Sequence, residues 1–163
     1  MSFLAKFRLI FMVSIVSVIL DQASKWWASE YLDHFSMHSY LADTLRIGYI
    51  ENTGAFLGLG SGMSDTAKFW IFVAAVGVIL LALLVFMFKS KEQNAYSLLS
   101  LSLIFSGGIS NFYDRAMNDG AVIDFLNVGI GSFRTGIFNV ADMAIMLGVV
   151  MLLFAKNEEK KPQ

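Results

Sequence analysis

Long apolar runs separated by short polar ones organise this chain. Ala67 to Phe88 holds 22 residues with Lys68 as its only charge, Ala95 to Tyr113 holds 19 with none, and Gly136 to Ala155 holds 20 with only Asp142. A helix rises about 1.5 Å per residue, so a hydrocarbon layer of about 30 Å takes about 20 apolar residues. Each run predicts a membrane-spanning helix. A further apolar run, Leu9 to Leu20, follows Lys6 and Arg8, which is the order of a signal peptide's charged and apolar regions. No small-residue cleavage site follows it cleanly. The run continues instead through Asp21, Gln22, Lys25 and the pair Trp26 and Trp27, a residue type that favours the membrane interface. It reads as a retained first helix with a polar outer end. The expected helices cover 7–27, 67–88, 95–113 and 136–155, with outer loops over 28–66 and 114–135.

Four spans put both termini on one side, together with Lys6, Arg8, Lys89, Lys91, Lys156, Lys160 and Lys161. The excess of Lys and Arg makes that side cytoplasmic. In the first outer loop Leu45, Ile47 and Tyr49 alternate with Arg46 and Gly48, which predicts a short strand. Gly54, Gly58, Gly60 and Gly62 predict turns. No internal repeat and no second domain is visible. The expectation is one integral membrane domain over 1–163: an all-α transmembrane fold, a four-helix membrane bundle with a small extracytoplasmic β-containing loop domain.

Composition agrees and removes alternatives. The chain is 56% hydrophobic and 15% charged, with a mean hydropathy of +0.63. Soluble domains carry about 25% charged residues. A net charge of -1 offers no field for nucleic acid, so no nucleic-acid partner is expected. The absence of Cys excludes a disulfide scaffold, a thiolate metal site and a thiol nucleophile. His34 and His38 stand four apart without an obvious third ligand, so no metal site is expected.

The polar residues carry the chemistry. Ionisable groups in a membrane segment are costly and need partners, and here they gather at the outer ends of the helices. Asp21 and Lys25 lie one turn apart and read as a helix-end salt bridge. Asn111 is three residues from Asp114 and four from Arg115; Asn139 is three from Asp142. Asp142 lies about one and a half turns inside its expected helix. Asp124 sits between Ile123 and Phe125. Two carboxylates close together in low dielectric cannot both ionise easily, and such a pair can activate water for peptide hydrolysis. A lone buried Asp also serves as a packing or capping residue, and a loop Asp as an ordinary acid, so spacing alone leaves the pairing open. A proton or ion conductor is another use of intramembrane acids. Its acids should extend across the bilayer, whereas these gather at one face.

Four motifs in order resemble the bacterial lipoprotein signal peptidases, the type II signal peptidases. Asp21-Gln22-x-Ser24-Lys25 is similar to the family's first motif and Asn52-x-Gly54-Ala55 to its second. Asn111-x-x-Asp114-Arg115, followed by Val122-Ile123-Asp124-Phe125, is similar to the third, and Phe138-Asn139-x-Ala141-Asp142 to the fourth. The resemblance implies an intramembrane aspartic endopeptidase of the inner membrane, without a cofactor, whose dyad is Asp124 and Asp142. It implies a diacylglyceryl-modified prolipoprotein as substrate, cut immediately before the lipidated Cys, contact with membrane lipid, and inhibition by globomycin-like peptides. Asn52, Gly54, Asn111, Arg115 and Asn139 are then the substrate-binding candidates. Asp114 is expected to orient Arg115, and Asp21 and Lys25 to tie the first helix to the outer domain. Gly107 and Gly108 should allow close helix packing, the segment from Asn52 to Gly62 should close over the substrate, and a monomer is expected. The chain departs from the family pattern at Phe56, Leu57, Ser110, Gly136 and Met143. Those departures keep a non-catalytic paralogue, binding lipidated peptides or inhibitor, as the alternative.

Overall fold

The computed structural model describes residues 1–34, 36–54, 62, 64–90 and 94–155. Helix α1 covers Phe3–Tyr31, and its N-cap Ser2 accepts from the Ala5 amide. Helix α2 is α-helical over Asp65–Lys68, π-helical over Phe69–Ala75 and α-helical again over Val76–Lys89. Helix α3 covers Ala95–Met117 behind an Asn94 cap, and α4 covers Val140–Leu153 behind an Asn139 cap. Strands β1 (His38–Tyr40), β2 (Leu45–Asn52), β3 (Val122–Ile130) and β4 (Phe133–Arg134) form one antiparallel sheet in the order β1-β2-β3-β4.

The sheet corrects the all-α expectation. The segments 28–66 and 114–135 both contribute to it, and β2 runs on through Asn52 rather than ending near Tyr49. Its long central pair has the β-branched and aromatic content that suits a pleated, half-buried surface. The last helix is shorter than the expected 136–155. Phe138 is held in an antiparallel bridge to Leu126, and Asn139 takes the cap position, so the helix cannot begin before Val140. Asp142 therefore stands in the first turn of α4, not one and a half turns inside it.

The burial pattern is the reverse of a water-soluble core. Lys6, Asp21, Lys25, Ser100, Ser102, Ser106, Ser110, Asn111, Asp114 and Asn139 are buried, while Phe7, Phe11, Ile15, Ile19, Val78, Ile79 and Leu81 are exposed. Apolar lipid tails solvate such a surface, and small or hydroxylated residues then line the helix contacts. Among the described residues, α1 and α3 are long and apolar enough to cross a membrane, and Val73–Lys89 and Val140–Leu153 are shorter apolar helices. The chain is a membrane protein.

Glycines set the approach of α3 to α4. A Cβ on Gly107 would meet the backbone carbonyl of Ala141, and one on Gly148 would stand 2.5 Å from the Ser100 carbonyl oxygen. Gly108 faces the flexible end of Leu80 on α2 instead. At the opposite end from the sheet, the buried Lys6 ammonium donates to the Met87, Phe88 and Ser90 carbonyls, tying α1 to the C-terminus of α2. A cation suits those orphan carbonyls.

Candidate active site

The site grows from the C-terminal part of α1. Asp21 and Lys25 are both buried and pair at 2.7 Å across one helical turn. Lys25 also pairs with Asp114 of α3 at 2.7 Å and donates to Asn111 Oδ1 at 2.8 Å. Asp21 in turn accepts from the Ala141 amide of α4 and from Ser110 Oγ, each at 2.7 Å. Gln22 donates to Asp114 Oδ1 at 2.8 Å and to Ser110 Oγ at 3.0 Å. One lysine and two aspartates thus join α1, α3 and α4. A buried charge group persists only when paired and hydrogen-bonded in this way.

The two candidate acids stand beside this network. Asn139 Nδ2 donates to Asp124 Oδ1 at 2.7 Å, while its backbone N–H donates to Asp142 Oδ2 at 3.1 Å. Asp142 N–H returns a bond to Asn139 Oδ1 at 2.9 Å, completing a capping box. One residue therefore holds both carboxylates. Asn111 Nδ2 donates to Asp142 Oδ1 at 3.0 Å, and Asn52 Nδ2 donates to Asp124 Oδ2 at 2.8 Å. Asn52 reaches Asp124 because Asn52 pairs with Val122 and Ile50 with Asp124, which makes Asn52 and Asp124 diagonal neighbours across the ladder. Burial, and then the neighbouring charge of Asp142, push the Asp124 carboxyl up to about 6 against the hydrogen bonds from Asn52 and Asn139.

The remaining candidates have assigned places. Gly54 N–H donates to Asn52 Oδ1 at 3.0 Å, and the Gly54 carbonyl accepts from Arg115 Nη2 at 2.8 Å. Arg115 is thereby set on the segment leading out of β2, while Asp114, one residue earlier, is engaged by Lys25 and Gln22. Asp21 and Lys25 tie α1 to α3 and α4 rather than to the sheet directly. His34 stacks on Tyr49 with ring centroids 4.0 Å apart. Apart from Gly62, residues 55–61 and 63, including Phe56 and Leu57, lie outside the described residues, as do Lys91, Lys156, Lys160 and Lys161.

Two members of the network were not singled out from sequence. Gln22 stood inside the first motif, and its position one turn from Trp26 carried no chemical signal of its own. Ser110 was visible only as a departure from the family pattern; here it supplies a hydrogen bond to Asp21.

The chain has clear relatives among known proteins. Residues 13–156 match the family described as Signal peptidase (SPase) II. A lipoprotein signal peptidase of Borreliella burgdorferi (strain ZS7) is 36% identical over 149 residues, covering 88% of this chain and 86% of the relative. One of Oleidesulfovibrio alaskensis is 30% identical over 155 residues, covering 95% and 98%. A solved bacterial membrane enzyme structure superposes with a TM-score of 0.78 at 27% identity, over 94% of each chain. The chain belongs to the lipoprotein signal peptidase family, signal peptidase II.

Proposed function

We propose that this protein is an aspartic endopeptidase that removes signal peptides from diacylglyceryl-modified prolipoproteins by cutting immediately before the lipidated Cys. The observation that carries the reading is the joint hold of Asn139 on Asp124 and Asp142, two acids presented side by side at the outer end of an apolar bundle. The two share one proton. The reading gives the donor's part to Asp124, whose carboxyl is raised to about 6. Asp142 takes a proton from water as that water attacks the scissile carbonyl carbon. Asp124 donates to the carbonyl oxygen, and the tetrahedral intermediate collapses as a proton passes to the leaving amine. Water is the only co-reactant. Arg115, Asn52, Asn111 and Gly54 stand next to the acids and supply donors and acceptors for the substrate backbone.

The reading places four spans in the bacterial inner membrane as one domain, both termini cytoplasmic and the acids toward the extracytoplasmic face, working as a monomer. Membrane anchoring of the substrate raises its local concentration beside the acids. Globomycin-like peptides would inhibit by occupying the dyad.

The test is cleavage in nanodiscs of a prolipoprotein with and without its diacylglyceryl group, by wild-type and Asp142→Asn protein. A lipid-dependent cut before the Cys, lost in the variant, supports the reading. Binding without product in the wild type moves the chain to the non-catalytic alternative.

A further inference from the structure

Beside Asp142 lies a cavity of about 250 Å³ whose lining includes Gly136, Ile137, Phe138, Met143 and Met146 together with Asp142 itself. Its walls are almost wholly apolar. Met143 and Met146 are half exposed on the outside of α4, so one wall of the cavity belongs to the apolar outer face of the bundle, while Thr135 lines it at the sheet end. A cavity of roughly 150 Å³ suffices for a benzene-sized guest, so this one has room for a branched or aromatic side chain. Methionine walls adapt to several shapes.

A second observation concerns the backbone along the same cavity. Phe138 N–H donates to the Leu126 carbonyl at 2.8 Å, and the Leu126 N–H donates to the Phe138 carbonyl at 2.9 Å. That is a hydrogen-bonded antiparallel pair, in which Phe138 turns both polar groups toward β3. The groups of the preceding residue in an extended chain then point the other way. Among the described residues neither the N–H nor the carbonyl of Ile137 has a hydrogen-bond partner. An unpaired strand edge is a template for another extended chain. An acyl chain has no use for such an edge, whereas a peptide uses both the edge and the apolar hole.

We infer that Gly136–Phe138 is the edge on which the signal-peptide side of the substrate docks its backbone, with an apolar side chain close to the cleaved bond seated in the cavity walled by Met143 and Met146. The inference rests on the peptidase reading above and adds to it the part of the chain that selects the sequence before the cut. Gly136 and Met143 are two of the positions where this chain departs from its family's pattern. Its side-chain preference should therefore differ from that of its relatives at the position these residues serve.

The experiment uses the full chain in nanodiscs and lipidated substrates carrying Ala, Leu or Phe at each of the three positions before the cleaved bond. A second substrate set carries single N-methylated amides at those positions. At one position wild-type protein should prefer the larger side chain by about tenfold or more in kcat/KM. Met143→Phe and, separately, Met146→Phe should shrink or reverse that ratio at the same position only. The ratio is read within each variant, so altered expression does not enter. One N-methylated amide should raise KM while its neighbours do not, as alternation along an edge requires. Unchanged ratios in both variants, or N-methyl effects without alternation, would overturn the inference while Asp142-dependent cleavage leaves the peptidase reading intact. Failure of wild-type protein to cut any lipidated substrate would overturn that reading itself.

Discussion

Lys25 donates to Asn111 Oδ1 at 2.8 Å, and that contact decides which way the Asn111 amide faces. Its oxygen is taken by Lys25 and, at 3.2 Å, by Asn139 Nδ2, so its nitrogen is left to donate to Asp142. A cation on α1 thereby orients a donor on α3 toward a carboxylate on α4. Replacing Lys25 by Met leaves Asp21 and Asp114 buried without their shared cation. Removing one partner from a buried ion pair costs about 3–5 kcal/mol. Thermal unfolding in detergent should show a clearly lower Tm, with cleavage lost as well; a Tm equal to wild type would contradict the central role of this lysine.

The acid pair should leave its mark on the pH profile. The Asp124 carboxyl is raised from 3.8 to about 6. A raised acid favours the folded state when protonated, so its contribution to stability is complete below about pH 3.9 and is lost as pH rises through about 6. With Asp124 as proton donor, kcat/KM should decline on the alkaline side of about pH 6. Asn52→Ala removes a hydrogen bond that favours the ionised form, so this limb should move to higher pH. A limb that stays put or moves downward counts against Asp124 as the donor.

The helix contact at Gly148 offers a test by sign. Gly→Ala inside an ordinary helix stabilises by about 1 kcal/mol. At Gly148 the new methyl would press on the Ser100 carbonyl, and overpacking costs about 1–3 kcal/mol. Gly148→Ala should therefore lower the unfolding temperature and, by parting α3 from α4, weaken the Asn111 to Asp142 contact and slow turnover. A rise in Tm would show that the two helices have slack there.

Ser110 is buried on α3 and joins Gln22 to Asp21. Ser110→Gly removes both of these hydrogen bonds and adds backbone freedom, about 2–3 kcal/mol together. Stability should fall while the cleavage rate at saturating substrate stays near wild type, because Ser110 contacts neither Asp124 nor Asp142. A rate loss larger than about tenfold would place Ser110 in the chemistry.

How much of this was legible beforehand follows from what each signal depends on. The helices were visible because apolar length is a local property, and Asp124 and Asp142 stood out because acids beside apolar neighbours need a reason. Resemblance supplied the pairing of those two acids, which spacing could not. The sheet was only partly visible, since β2 and β3 lie more than 60 residues apart and their register depends on contacts no short window contains. The start of α4 was misplaced for a related reason. Gly136 to Phe138 is apolar enough to continue the helix, but the bridge from Phe138 to Leu126 claims it for the sheet. The roles of Gln22 and Ser110 were not legible because they lie in reaching Asp114 and Asp21 across a helix interface.

The clamp between Lys6 and the carbonyls of Met87, Phe88 and Ser90 has a bearing on biogenesis. Both of its halves are synthesised before α3 begins at Ala95, so the start of α1 and the end of α2 can lock while the rest of the chain is still on the ribosome. Asp124 and Asp142 emerge late, into a frame whose first strut is already set. A nascent chain arrested anywhere before residue 124 carries helices but neither acid, so on the proposed mechanism cleavage has to wait until most of the chain has been made.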